Sequence, residues 1–169
     1  MGKVLGLKSF LMGDPALDGG MGLTLTEVFG ATVKGSATLT ATEATTEEIE
    51  IEELDTIYDE LTTKAPVWTL KASTYNISAT TMQKLFGGTI IGTAPALTWK
   101  APIGGAVLNV YQSVTAESRS GIKFNFVKMK LSGVPTIAFD KAKLGQLDFT
   151  LKMLAPDKAA TPAMEIVFV

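Results

Sequence analysis

Residues Gly145–Leu154 read Gly-Gln-Leu-Asp-Phe-Thr-Leu-Lys-Met-Leu, and this stretch decides the fold class. Leu147, Phe149, Leu151 and Met153 share one parity, and Asp148, Thr150 and Lys152 share the other. Successive strand side chains point to opposite faces, so a period of two predicts a strand with one buried and one wet face. Ile122–Leu131 repeats the pattern with a defect. Ile122, Phe124 and Phe126 alternate with Lys123 and Asn125, but Lys128 and Lys130 then fall on the parity of the aromatics. Such a switch predicts a β-bulge, or a strand running beyond the core.

Further strands are expected at Val4–Lys8, Leu23–Phe29, Ser36–Ala41, Val67–Ile77, Thr89–Ile91, Leu97–Lys100, Ala106–Val114 and Ala163–Val169. The 22 threonines, with frequent Val and Ile, suit a pleated surface. Sixteen glycines and seven prolines cut the apolar runs into short lengths, as in antiparallel β domains. Gly133-Val134-Pro135 reads as a turn, and Ala155–Pro162 as a loop. A strand is expected at Glu47–Glu53, with Ile49 and Ile51 on one face and Glu48, Glu50 and Glu52 on the other. Asp55–Pro66 reads as a long connection or a short helical turn.

One helix is expected. Ser78 is an N-cap residue, Met82, Leu85 and Phe86 form an apolar stripe, and Gly87-Gly88 ends it. No repeat or linker divides the chain. The expectation is therefore a single domain over 1–169, mainly β, with flexible loops at about 11–22 and 43–66. It would be a β-sandwich or barrel of about eight to ten strands with one short flanking α-helix at about 78–86.

The chain has no cysteine and no histidine. That excludes disulfides, thiolate chemistry and every histidine-based acid–base or metal site. No apolar run approaches the roughly 20 residues of a membrane helix. Met1–Phe10 lacks the apolar core of a signal peptide, so a soluble protein made in a cytoplasm is expected, with no membrane partner. Charge is segregated. Glu43–Glu60 holds nine of the 17 acidic residues and no Lys or Arg. The rest holds eight acidic and fifteen basic residues, a net of +7. The acidic segment could be a solvated edge, or it could meet the positive body of a neighbouring copy.

No GxxxxGK[ST] or GxGxxG motif is present; Gly19-Gly20-Met21-Gly22 and Gly87-Gly88 read as turns. Paired carboxylates could hydrolyse glycosides, but a cluster of solvated ones lacks the distinct environments that separate acid from base. Glu52, Glu53, Asp55 and Asp59 could ligate Ca²⁺, without the spacing of an EF-hand. Lys123, Lys128, Lys130, Lys141 and Lys143, with Arg119, make the C-terminal half basic, without the aromatic interleaving that stacks bases. Trp68 and Trp99 read as core or interface anchors. These readings point away from an enzyme and require no cofactor and no metal.

A glycine-rich early loop, the acidic segment with its long connection, and Trp68-Thr69-Leu70-Lys71-Ala72 running into the capped helix Ser78–Gly88 form one pattern. Together with the late Leu147–Leu151 strand, the pattern resembles the major tail tube proteins of tailed bacteriophages. The resemblance implies a two-sheet β-sandwich with a flanking helix. It also implies (usually hexameric) rings that stack into a tube for DNA ejection, an architecture shared with the type VI secretion tube. The subunit would be assembled in the host cytoplasm and reside in the virion tail. Its partners would be other copies of itself, the tape measure and terminator proteins, and DNA in non-specific passage. On this reading Glu48, Glu50 and Glu52 line the lumen or bridge rings, and Asp14, Asp18, Glu53, Asp55 and Asp59 belong to inter-subunit loops. A repelling lumen lets phosphates slide, since each cation there would add affinity through counterion release. The alternatives are a head–tail completion or decoration protein, a secretion-tube subunit, and a lipocalin-like carrier with an apolar cavity.

Overall fold

A computed structural model describes residues 3–27, 29–53, 56–103, 109–137 and 144–168. The described chain is mainly β, with eleven strands and one short helix. The strands are β1 (Leu7–Gly13), β2 (Thr38–Ala41), β3 (Thr45–Ile49), β4 (Asp59–Lys64), β5 (Trp68–Thr74), β6 (Thr89–Thr93), β7 (Ala96–Lys100), β8 (Val110–Ser118), β9 (Lys123–Thr136), β10 (Gln146–Met153) and β11 (Met164–Val167). The helix α1 is Ala79–Phe86.

Seven strands form one curled antiparallel sheet in the order β1-β8-β9-β10-β5-β2. β11 pairs with β9 on Lys123–Phe126, while β10 pairs with β9 on Met129–Thr136. β10 and β11 thus lie in tandem along one edge of β9. The run expected to end at Leu131 continues through Gly133, Val134 and Pro135 to Thr136, so the expected turn there is strand. β10 supplies the reason: its Phe149 faces Gly133 and its Leu147 faces Pro135 in the ladder.

The parity switch in β9 is a bulge. Against β8, the register shifts between Gln112 and Val114, which leaves Val127 and Lys128 opposite Ser113. Phe124 and Phe126 face the core before it, and Met129 and Leu131 face the core after it. Three hydrogen bonds hold polar groups of the bulge. Ser113 Oγ donates to the Val127 carbonyl at 2.6 Å. Val127 N–H donates to Ala163 O at 3.1 Å, and the Lys128 carbonyl accepts from Leu154 N–H at 3.0 Å. These last partners come from the loop between β10 and β11, so the bulge sits where one edge strand gives way to the next.

The curl brings distant strands together. Phe10 on β1 lies 5.7 Å from Phe149 on β10, ring centre to ring centre, and Phe29 packs between them. Leu70, Leu131, Leu147 and Leu151 complete this core. The segment after β1 crosses the open side. Thr26 exchanges two 2.9 Å hydrogen bonds with Met12, and Thr32 bridges Thr74 at the end of β5. The strand expected at Leu23–Phe29 is reduced to that Met12–Thr26 bridge, because at its end Phe29 leaves β1 for the core and its carbonyl accepts from Thr74 Oγ1 at 2.9 Å.

α1 forms as its sequence predicts. Ser78 Oγ accepts from Thr81 N–H at 3.2 Å, and Gly87 N–H donates to the Gln83 carbonyl at 2.8 Å, with Gly87 at φ +69°. Leu85 is buried, and Met82 and Phe86 pack beside it. β6 and β7 form a separate hairpin against the helix. Trp99 Nε1 donates to Gly87 O at 2.7 Å, and its ring meets Phe86 edge-on.

Candidate assembly surfaces

β3 and β4 pair with each other and with no strand of the main sheet. The segment expected to be a loop over 43–66, with a long connection after Asp55, is therefore a projecting hairpin. Its neck lies one position beyond the last rung of the β2–β5 ladder, Ala41 opposite Trp68. Thr42 N–H donates to Val67 O at 3.0 Å, and Val67 N–H donates to Thr42 Oγ1 at 3.0 Å. Every residue of β4 is exposed, and in β3 only Ile49 is half-buried.

Register sorts the hairpin into two faces. Glu48 stands opposite Glu60 and Thr46 opposite Thr62 on one face; Glu47 opposes Leu61 and Ile49 opposes Asp59 on the other. β3 ends at Ile49, so Glu50 lies just past the strand, and Glu52 and Glu53 lie in the turn. The single acidic strand face expected from Glu48, Glu50 and Glu52 is thus replaced by a cross-strand pair, Glu48 with Glu60. Asp59 opens β4, and Asp55 lies outside the described residues. Ile57, Tyr58 and Leu61 are half or more exposed.

Asp14 and Asp18, expected in an inter-subunit loop, make contacts within their own chain. Asp14 Oδ1 accepts from Gln112 Nε2 at 2.8 Å. Asp18 accepts from Lys158 Nζ at 2.7 Å and from Gly20 N–H at 3.0 Å. The Lys158 hydrogen bond, then the Gly20 amide, holds the Asp18 carboxyl below its usual range. Gly22 N–H donates to the buried Ser113 Oγ at 2.9 Å. Residues 14–22 are therefore tied to the body, and residues 11–13 belong to β1.

The outer face of the curled sheet carries an opposite charge. Lys130 on β9 stands directly opposite Lys152 on β10, both exposed. The next row is Ser132 opposite Thr150, with the exposed Lys71 beyond Thr150 on β5. Asp148 shares this face one row beyond Thr150, where its carboxylate accepts from Ser73 Oγ and from Gln146 Nε2. Nearby Lys128 holds Asp157 at 2.6 Å and sits over the Tyr111 ring at 4.9 Å. Lys141 and Lys143 lie outside the described residues.

Other sites are poorly furnished. No three acidic side chains gather to hold a metal among the described residues, so Glu52, Glu53 and Asp59 form no such group. The apolar cavity beside Leu7, Leu39, Leu70 and Phe126 measures about 140 Å³. Two more open pockets, about 740 Å³ beside Asp14, Leu23 and Lys158 and about 540 Å³ beside Lys8, Lys34 and Arg119, fall within the roughly 300–1,000 Å³ of sites for drug-sized ligands. The Phe10, Phe29 and Phe149 rings fill the space a lipocalin-like carrier would leave open.

No known family model matches the chain, and no curated protein matches its sequence. Sequence reasoning missed Glu60, Lys130 and Lys152 as partners in these patches. Lys152 was legible as a wet-face residue of the Gly145–Leu154 run. Its pairing with Lys130 depends on inter-strand register, which a single sequence does not carry.

Proposed function

We propose that the chain is a structural subunit that self-assembles into rings stacking as a tube, of the tail-tube type, and that it works without catalysis. The observation that supports this is the β3–β4 hairpin. A lone two-stranded hairpin is marginally stable in water, and stability takes a third strand or a packing surface. Here it also sets Glu48 against Glu60, a destabilising like-charge pair, and exposes Ile57, Tyr58 and Leu61. An arm so built is completed by a neighbour's surface. A contact between an arm on one copy and a different surface on the next is head-to-tail, and such contacts generate rings or open stacks. In a tail tube the role would be a passage for DNA, with other copies and the tape measure and terminator proteins as partners. The hairpin's form favours the inter-subunit role for its glutamates over the lumen lining.

Negative-stain imaging of concentrated purified protein tests this. Stacked rings of uniform diameter are expected. A protein that stays monomeric at every concentration overturns the reading.

A further inference from the structure

The hairpin and the sheet's outer face share a geometry. Strand separation is about 4.8 Å in any sheet, and directly opposed side chains sit at about that spacing. The Glu48–Glu60 pair and the Lys130–Lys152 pair are both direct cross-strand pairs, so their backbones are spaced alike, at about 4.5–5.5 Å between Cα atoms, and their charges are opposite in sign. The adjoining rows also correspond: Thr46 opposite Thr62 on the hairpin, and Ser132 opposite Thr150 on the sheet. Within one molecule each charged pair is self-repelling.

We propose that the Glu48/Glu60 face of the hairpin docks on the Lys130/Lys152 row of a second copy, two carboxylates against two ammonium groups. The proposal rests on the self-assembly reading and names the surface that receives the arm. Sheets pack face to face at about 10 Å, a gap that a glutamate and a lysine reaching toward each other can span. Docking converts two repulsive pairs into a four-charge cluster. Lys71, beyond Thr150 on β5, extends the positive row. The two surfaces lie on different parts of the chain, so each copy presents one arm and one receptor and the contact propagates.

The test uses full-length chains with charges reversed. Glu48→Lys/Glu60→Lys has a positive arm and a positive receptor. Lys130→Glu/Lys152→Glu has a negative arm and a negative receptor. Each alone is expected to raise the concentration needed for assembly by roughly tenfold or more, as like-charge juxtaposition at a contact does. An equimolar mixture places each arm on an opposite receptor, and assembly is expected to return. Wild-type assembly with unaffected variants, or variants that fail separately and stay apart when mixed, overturns the docking and leaves the tube reading standing. Wild-type protein that never assembles overturns both. Should a variant fail to fold, carbodiimide coupling of the assembled wild type replaces it. Isopeptide links between residues 48 or 60 and residues 130 or 152 support the docking, and their absence among the recovered links overturns it.

Discussion

The rings of Phe29 and Phe149 stack with centroids 4.2 Å apart and planes 23° from parallel. Phe149 projects from β10, while Phe29 arrives on the segment that crosses from β1 to β5. This stack, with Phe10 against it, fastens the open side of the curled sheet. Phe149→Ala is expected to cost about 3–5 kcal/mol, through lost burial and the cavity left among close-packed rings. For a chain of this size that lowers the melting temperature by roughly 2–4 °C per kcal/mol, readable by circular dichroism.

Ser113→Ala tests the bulge. The Ser113 hydroxyl donates to Val127 O and accepts from Gly22 N–H, and the residue is fully buried. Alanine leaves a buried carbonyl and a buried amide without that partner, a loss of about 1–3 kcal/mol for an unsatisfied group. Denaturant midpoints measure it. Amide exchange at Gly22 should rise as well, which a simple loss of packing would not produce.

Gly88→Ala is expected to disturb the join between helix and second hairpin. Gly88 has φ +84°, and an added Cβ would fall on the Lys100 carbonyl oxygen, beside Trp99 Nε1. Both the backbone conformation and the space exclude a side chain, and strain of this kind costs on the order of 1–3 kcal/mol. Tryptophan fluorescence should report displacement of Trp99 along with the stability loss.

The hairpin is expected to be dispensable for folding and required for assembly. Replacing Glu43–Pro66 with Asn-Gly joins Thr42 to Val67 by a two-residue turn on the existing β2–β5 register. Because β3 and β4 pair with no strand of the main sheet, the shortened chain should unfold within about 1 kcal/mol of the parent. It should give no ordered assemblies in negative stain. An unfolded product would show instead that the arm is part of the domain.

Acid should weaken the domain through two surface ion pairs. Lys8 bonds Glu117 at 2.9 Å, and that hydrogen bond is the main cause holding the Glu117 carboxyl below its usual range. Lys158 does the same for Asp18. A carboxyl lowered in the folded state stabilises it at pH above the unfolded value, near 4. That contribution is lost as pH falls from there through the lowered folded values. Asp18 and both lysines are exposed and Glu117 is half-buried at the surface, so the effect is small and fades with salt. Glu117→Gln combined with Asp18→Asn should flatten the pH dependence of the unfolding midpoint between about pH 5 and 2.

The elements that fold by local rules were legible in the sequence. The alternation from Leu147 to Met153 specified β10 and its buried face, and Ser78 with Gly87-Gly88 bounded α1 within a residue. The bulge was visible as the shift of parity at Lys128. What failed were features set by partners distant in sequence. Asp59–Lys64 became a strand because Thr45–Ile49 lies alongside it, although Asp, Glu and Lys are poor strand formers. Gly133-Val134-Pro135 carries turn chemistry, yet β10 recruits it as ladder. The acidic character of 43–60 was plain. The pairing of Glu48 with Glu60, and of Lys130 with Lys152, required register and so appeared only in three dimensions.

The tandem placement of β10 and β11 on one edge of β9 has a consequence in time. β9 is the long strand of the sheet, and four of its 14 residues, Lys123–Phe126, are covered on that edge by a strand about forty residues later in the chain. β1 likewise meets β8 across roughly a hundred intervening residues. Pairings between remote segments close large loops before any contact rewards them, so such sheets form slowly. The curled sheet therefore completes late, once Met164–Val167 has been synthesised and has found Lys123–Phe126. Until then the Lys123–Phe126 stretch of that edge is uncovered, and the chain is most exposed to wrong pairing with its own copies there.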